Sequence, residues 1–337
     1  MTVPKFYENY ATRLGFPGSE IFYKILDVLY NGEDDIKILE ALPGNVDSIS
    51  KATGIPMESL KPKLDLLWKK GGITGAMGHY DIVKGLIPLR DMSVMWPKAT
   101  QQYWELWEEM FTKEHERHTA FLNSKNYPPA MRVLPVQETV DADSKILDID
   151  SAIKVFKDAR VISAVECACR LQAQKTGRGQ NCPAPKTANC FATNMIAEMT
   201  LARGIGEKIS LEEALKRLKE TEDAGLVHMA RNNVAEDMFM CNCCACCCHG
   251  LYMINDGSYT RAFAPSRFQI KFDADSCTGC GECESRCQFK AITVNGTAEI
   301  NLDKCFGCGN CVNTCPSGAL ILTEIRPVES IRVAKKG

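Results

Sequence analysis

The sequence predicts an α+β protein of several domains, and three observations carry that expectation. A cysteine run near the C-terminus is duplicated, residues 20–90 read as helices followed by two short strands, and a helical pair separates two further groups of cysteines. A chain of 337 residues has room for two or three domains. We place them at 1–95, 96–155, 156–262 and 263–337: a helical domain with a terminal hairpin, an aromatic helix with an extended linker, a helical cysteine-rich domain, and the duplicated unit.

In the first domain, Ile21, Ile25, Leu26 and Leu29 recur at helical spacing, and Asp34 to Leu42 forms a second helix stopped by Pro43-Gly44. A short helix from Val46 closes at Gly54, and a longer one after Pro56 carries Leu60, Leu64, Leu67 and Trp68 on one side. Gly71-Gly72 then turns the chain into Ile73-Thr74 and Tyr80 to Val83, a two-stranded wing. This order resembles a winged helix-turn-helix. The resemblance implies that residues 57–70 would read DNA, with Lys61, Lys63, Lys69 and Lys70 on phosphates. Against that, residues 1–100 carry twelve basic and twelve acidic side chains, and Pro62 should interrupt the reading helix. A packing or dimerisation module is the reading we adopt, which allows a homodimer through this domain.

Trp96 to Leu122 carries Trp96, Tyr103, Trp104, Trp107 and Phe111 at near-helical spacing, an amphipathic helix that buries its rings. His115, Glu116 and His118 have a ligand-like spacing but are flanked by Lys113, Glu114 and Arg117, as a solvated face would be. From Asn123 to Asp150 periodicity is lost, and Pro128-Pro129, Pro135 and Asp141 to Asp143 suggest an extended connector. Val161 to Val165 resumes an apolar segment that leads to the next cysteines.

Ten cysteines lie upstream of the duplication: Cys167, Cys169, Cys182 and Cys190, then Cys241, Cys243, Cys244, Cys246, Cys247 and Cys248. Between the groups runs a helix with Met195, Ile196, Met199 and Leu201. A second helix is opened by Ser210 and Glu213, directs Leu211, Leu215 and Leu218 inward, and ends at Gly225. Six cysteines in eight residues cannot all bind one ion, because neighbouring side chains diverge and a cubane takes four thiolates. One or two further iron-sulfur clusters, a structural zinc site, or a redox-active thiol or persulfide site would each use this field. Iron-sulfur is favoured because the chain has a second signature of that chemistry. Arg170, Lys175 and Arg178 are candidates to balance cluster charge, and His228 and His249 to ligate metal or donate to sulfur.

That signature is Cys277-x2-Cys280-x2-Cys283-x3-Cys287, repeated 28 residues later as Cys305-x2-Cys308-x2-Cys311-x3-Cys315-Pro316. Asp275 aligns with Asp303, Gly279 with Gly307, Gly281 with Gly309 and Ala291 with Ala319. Three thiolates spaced by three residues on a tight loop can hold three irons of a cubane, and the fourth must come from elsewhere. The duplicated run resembles the bacterial two-cluster ferredoxin. The resemblance implies two [4Fe-4S] clusters, one on Cys277, Cys280, Cys283 and Cys315, the other on Cys305, Cys308, Cys311 and Cys287. Gln288 stands where that family has proline. Phe268 to Phe272, a hairpin about Asn295-Gly296, and Ala319 to Thr323 supply the strands, and Arg326 to Gly337 a basic tail. Taken together, the segments resemble multidomain iron-sulfur proteins of the ferredoxin type found in anaerobes.

Net charge of −2 and a pI near 6.3 exclude a global pull toward nucleic acid or a membrane. No run of 18 apolar residues and no signal-peptide pattern occurs, so a cytoplasmic location is expected, where this many cysteines mean metal or redox chemistry. No Gly-x-Gly-x-x-Gly or P-loop segment supports a nucleotide cofactor in the common folds. An electron-transfer protein serving redox partner proteins is the functional expectation. A redox-sensing regulator and a catalytic iron-sulfur reductase are the alternatives.

Overall fold

Helix caps mark the elements of the first half. In the computed structural model, which describes residues 3–140, 150–232 and 239–331, α1 (Lys5–Leu14) ends at Gly15 in the left-handed region. The Ser19 side chain accepts from the Phe22 N–H to open α2 (Glu20–Leu29), and α3 (Glu33–Glu40) follows. An Asn45–Ser48 capping box opens α4 (Val46–Thr53), closed by left-handed Gly54. These elements belong to a compact unit of residues 1–125 and 168–180. The same unit holds a three-stranded sheet of β1 (Gly44–Asn45), β3 (His79–Ile82) and β2 (Ile73–Ala76) in that order.

Pro62 does not interrupt α5 (Met57–Lys70). An internal proline costs about 3 kcal/mol, whereas Leu60, Leu64 and Leu67 are each at most 1% exposed and fully buried leucines contribute roughly 1.5–3 kcal/mol apiece. Burial of the apolar face therefore outweighs the missing hydrogen bond.

After α6 (Leu86–Val94), the expected long aromatic helix of Trp96 to Leu122 is two, α7 (Gln101–Lys113) and α8 (His115–Lys125), with Glu114 at the break between them and Trp96 before the first. Trp107 is fully buried among Tyr103, Phe22 and Phe111. His118 is buried too, its ring 5.7 Å from Phe16 and 5.8 Å from Phe111, and burial pushes its pKa down to about 4. The solvated face expected here is thus half wrong: His118 is a core ring.

The second unit comprises residues 126–167 and 181–337. Its centre corrects the expectation of a helical middle domain. A seven-stranded sheet is built from β4 (Met131–Val133), β5 (Ile162–Val165), β6 (Cys190–Thr193), β7 (Gly206–Ile209), β8 (Val227–Arg231), β9 (Phe239–Cys243) and β10 (Phe263–Ala264), in the order β10-β4-β8-β9-β6-β5-β7. Only the β10–β4 pair is parallel among those described. Strand β4 comes from the segment read as a connector, so that reading is corrected as well. The two expected helices are present as α11 (Asn194–Ala202) and α12 (Leu211–Asp223), the latter with its Ser210 cap on Glu213, and two that were not expected, α9 (Ala152–Lys157) and α13 (His249–Asn255), join them. Leu218 is buried, but Leu211 is exposed. Helix α10 (Ala168–Lys175) belongs to the first unit, where it packs on α6 and α7.

C-terminal to the sheet, β11 (Phe268–Phe272) pairs antiparallel with β14 (Leu320–Glu324), and β12 (Ile292–Asn295) with β13 (Thr297–Ile300) about Gly296. A single-turn helix, α14 (Glu282–Arg286), lies within the first cysteine run and carries Cys283. Residues 141–149 of the connector and 332–337 of the basic tail lie outside the described residues.

Candidate metal centres

The two copies of the cysteine run are shaped by the same backbone device. Gly279 and Gly307 both have φ near +66°, and a Cβ on either would stand about 2 Å from a carbonyl oxygen, that of Gly296 or of Phe268. The glycines are therefore required by the approach of neighbouring protein backbone as well as by the left-handed turn. Each loop is pressed against a strand or hairpin, which fixes the direction of its thiols.

Cys277, Cys280, Cys283 and Cys315 line one cavity, together with Phe272, Val294 and Leu320. Cys315 comes from the far run, so the structure brings the fourth cysteine across. Donors surround these sulfurs. Thr297 and the backbone N–H groups of Gly279 and Ala298 lower the Cys277 pKa. At Cys315 burial works upward, but Ser317 and the N–H groups of Ala319, Ser317 and Leu320 leave the thiol lowered. Burial raises Cys283, and Cys280 is exposed.

The other four thiols are gathered on the interior side. Cys287 adds to the electrostatic burden on Cys305, Cys308 and Cys311, after burial in each case. Burial pushes Cys308 up to about 12 and raises Cys311 well above the ordinary thiol range. The Ala291 N–H donates to Cys287 Sγ at 3.2 Å, and the N–H groups of Ile270 and Gly307 donate to Cys305. Four enclosed thiols that repel one another as anions are held as thiolates only by positive charge placed among them. The donor set and the N–H groups aimed at sulfur fit [4Fe-4S] clusters at both places.

The second run is built into the sheet. Val136 N–H donates to the Cys308 carbonyl, and Asn310 Nδ2 donates to the Gly225 and Leu226 carbonyls at 2.9 and 3.1 Å. Gln288, the residue standing in place of proline, accepts from the Ala245 N–H at 2.7 Å and donates to the Gly225 carbonyl at 3.1 Å. Ala245 lies inside the upstream cysteine block, so the departure from the family pattern is a physical tie between the two cysteine fields. Phe289 and Phe306 stack at 4.4 Å in an apolar core shared with Cys243, Cys248, Cys287 and Cys308.

Strand register sorts the upstream cysteines. Val165 pairs with Cys190, Phe191 with Met240, and Met229 with Cys241. Side chains alternate along a strand, so Phe191 and Met240 fall on the face that packs with Phe156 and Leu218. Cys190, Cys241 and Cys243 fall on the opposite face. Cys190 is the first cause of the raised Cys241 pKa, with Cys167 a lesser one, and Cys241 and Cys248 both interact with Cys243. One thiol group of the second unit is therefore Cys167, Cys190, Cys241, Cys243 and Cys248. Another is Cys182, Cys244, Cys246 and Cys247, whose sulfurs all lie within 4.8 Å of one another. Cys169 lies on α10 in the first unit, where the buried Arg90 guanidinium donates to its Sγ at 3.0 Å.

Three of the other candidates have partners within the protein. His228 is buried, with Nδ1 2.6 Å from Asn242 Oδ1 and Nε2 3.3 Å from Glu222. Asn242 in turn donates to the Asn189 carbonyl. His228 thus braces β8 and β9 on the side away from Cys241. Arg178 pairs with Glu108, and Lys175 lies over the Trp104 ring at 4.9 Å, both within the first unit. Sequence reading did not single out Gln288 as a contact or Asn310 at all. The missing proline was the available signal for the first, and nothing local marks the second.

A family profile described as a 4Fe-4S dicluster domain matches residues 269–317. The C-terminal region is thus an iron-sulfur dicluster domain of the ferredoxin kind. No curated protein and no solved structure matches the chain. Among the described residues, no helix is long and apolar enough to cross a membrane.

Proposed function

We propose that the chain is an electron-transfer protein with two [4Fe-4S] clusters, one held by Cys277, Cys280, Cys283 and Cys315 and the other by Cys305, Cys308, Cys311 and Cys287, which exchanges electrons with a further metal centre in the upstream cysteine field and with a partner oxidoreductase. The observation that carries the reading is the cavity in which Cys315 faces the three thiols of the other run. Bound clusters supply one-electron transfer at low potential. The chain's own part is to exclude water around the second run, to aim N–H groups at sulfur, and to hold the Cys287 loop to the upstream block through Gln288.

Residues 1–95 are read as a winged-helix-like packing or dimerisation module. Lys70 is buried, donating to the Leu29 carbonyl, while Lys63 pairs with Asp34 and Lys69 with Asp65. Three of the four lysines that would meet phosphates are thus occupied, which favours packing over DNA recognition. A soluble cytoplasmic redox component serving protein partners accords with this set of features.

Anaerobic iron and sulfide analysis with EPR of the reduced protein tests the assignment. Two spin-coupled cluster signals are expected, and Cys315→Ser should perturb the signal of the Cys277 set. A change confined to the signal of the Cys305 set would refute the crossed assignment.

A further inference from the structure

We propose that Cys182, Cys244, Cys246 and Cys247 bind one metal ion in a tetrahedral site of four thiolates, separate from every iron-sulfur cluster of the chain. The inference rests on the reading of the upstream field as metal-bearing and specifies what one part of it holds.

Sulfur spacing carries the argument. The four sulfurs all lie within 4.8 Å of one another, with Cys182 and Cys244 at 3.4 Å and Cys246 and Cys247 at 3.7 Å. Thiolates placed tetrahedrally about 2.3 Å from a single zinc stand about 3.8 Å apart. In a cubane each thiolate bonds a different iron, which separates the four sulfurs to about 6 Å. The observed group has the spacing of one ion. The dicluster domain supplies an internal comparison: among the described residues its cysteines form no group closed to 4.8 Å, as expected of sites built for a larger core.

Local structure explains how the ligands converge. Cys244 to Cys247 is a tight turn, with the N–H groups of Cys247 and Cys248 directed at the Cys244 carbonyl. The Ala245 N–H within it is held by Gln288. The turn places Cys244, Cys246 and the adjacent Cys247 on one side, whereas Cys248 interacts with Cys243 of the other thiol group. Cys182 arrives from the loop before β6, anchored where Arg217 donates to the Ala188 carbonyl and Asn189 to the Pro185 carbonyl. Binding of a divalent ion by four thiols releases up to four protons and leaves a tetrathiolate complex of charge −2. No oxidant or sulfide is consumed, in contrast to assembly of a cluster. Zinc and iron share this donor preference, so the test has an arm for each.

The experiment is metal and sulfide analysis of the full chain purified anaerobically, comparing the wild type with a Cys182→Ser/Cys246→Ser variant. Loss of one zinc, or of one iron, per chain with sulfide unchanged is the expected result. Loss of about four irons with about four sulfides would overturn the proposal in favour of a cubane, and so would an unchanged metal content. If the variant does not fold, X-ray absorption at the zinc edge and Mössbauer spectra of the wild type decide the question. Zinc with four sulfurs at about 2.3 Å, or a one-iron high-spin site, supports it; absence of both refutes it. Failure here with two ferredoxin-type EPR signals intact would leave the electron-transfer reading standing.

Discussion

Cys277 to Cys287 and Cys305 to Cys315 share one motif and occupy two environments. Thr278 and Glu282 in the first run are exposed, whereas their equivalents in the second, Phe306 and Asn310, are buried. Phe306 stacks on Phe289 and Asn310 binds the carbonyls at Gly225 and Leu226. Donors lower Cys277, whereas burial raises Cys305, Cys308 and Cys311. Duplication therefore supplied two cluster loops, and packing against the seven-stranded sheet made them unequal. The first is the more exposed; the second shares an apolar core with Cys243 and Cys248.

The largest effect should come from removing a buried ligand. Cys311→Ser is expected to lose about four irons per chain and to lower the melting temperature markedly, because structural metal binding contributes on the order of 10 kcal/mol. Cys280→Ser, at the exposed loop, should cost its own cluster but leave the second EPR signal and most of the thermal stability in place. Equal loss of stability in both variants would erase the proposed asymmetry.

Glycine substitution comes next. Gly307→Ala forces a left-handed side chain against the Phe268 carbonyl, and a loss of about 3 kcal/mol is expected from strain of this kind, read from chemical denaturation under anaerobic conditions. Gly279→Ala meets the carbonyl of a hairpin turn, which can yield, so its loss should be smaller.

Gln288→Leu removes both hydrogen bonds that tie the Cys287 loop to Ala245 and Gly225. A cost of about 2 kcal/mol follows from leaving partly buried groups unpaired. A shift in the EPR signal or potential of the cluster on the Cys305 side should accompany it. A stability loss with both clusters unmoved would reduce Gln288 to ordinary packing.

The smallest contrast is between equivalent positions. Asn310→Ala should destabilise by about 1–2 kcal/mol, because two backbone carbonyls lose their donor, whereas Glu282→Ala on the exposed copy should change stability by less than about 0.5 kcal/mol. Similar values for the two would show that the sheet does not discriminate between the runs.

Local rules reached far into this protein. Apolar spacing placed α2, and a closing glycine or capping residues placed α4 and α12, because these signals act within four residues of their own position. The dicluster strands and the Asn295-Gly296 turn were legible for the same reason. What failed was the sheet. Strands such as Cys190–Thr193 and Phe239–Cys243 are four or five residues long, buried on both faces in part, and rich in cysteine, so they show no alternation to read. Pro62 misled because its helix is stabilised by the buried face rather than by its own hydrogen bonds.

The sequence alone determined that eight cysteines form a duplicated iron-sulfur motif, since that chemistry is written in spacing along a single loop. Tertiary structure decided how the other ten divide. Cys182 lies 62 residues from Cys244 and Cys190 lies 51 from Cys241, and no local pattern relates residues that distant. Strand register and one tight turn assign them to different groups, because a side chain's direction is set by the sheet to which its strand belongs.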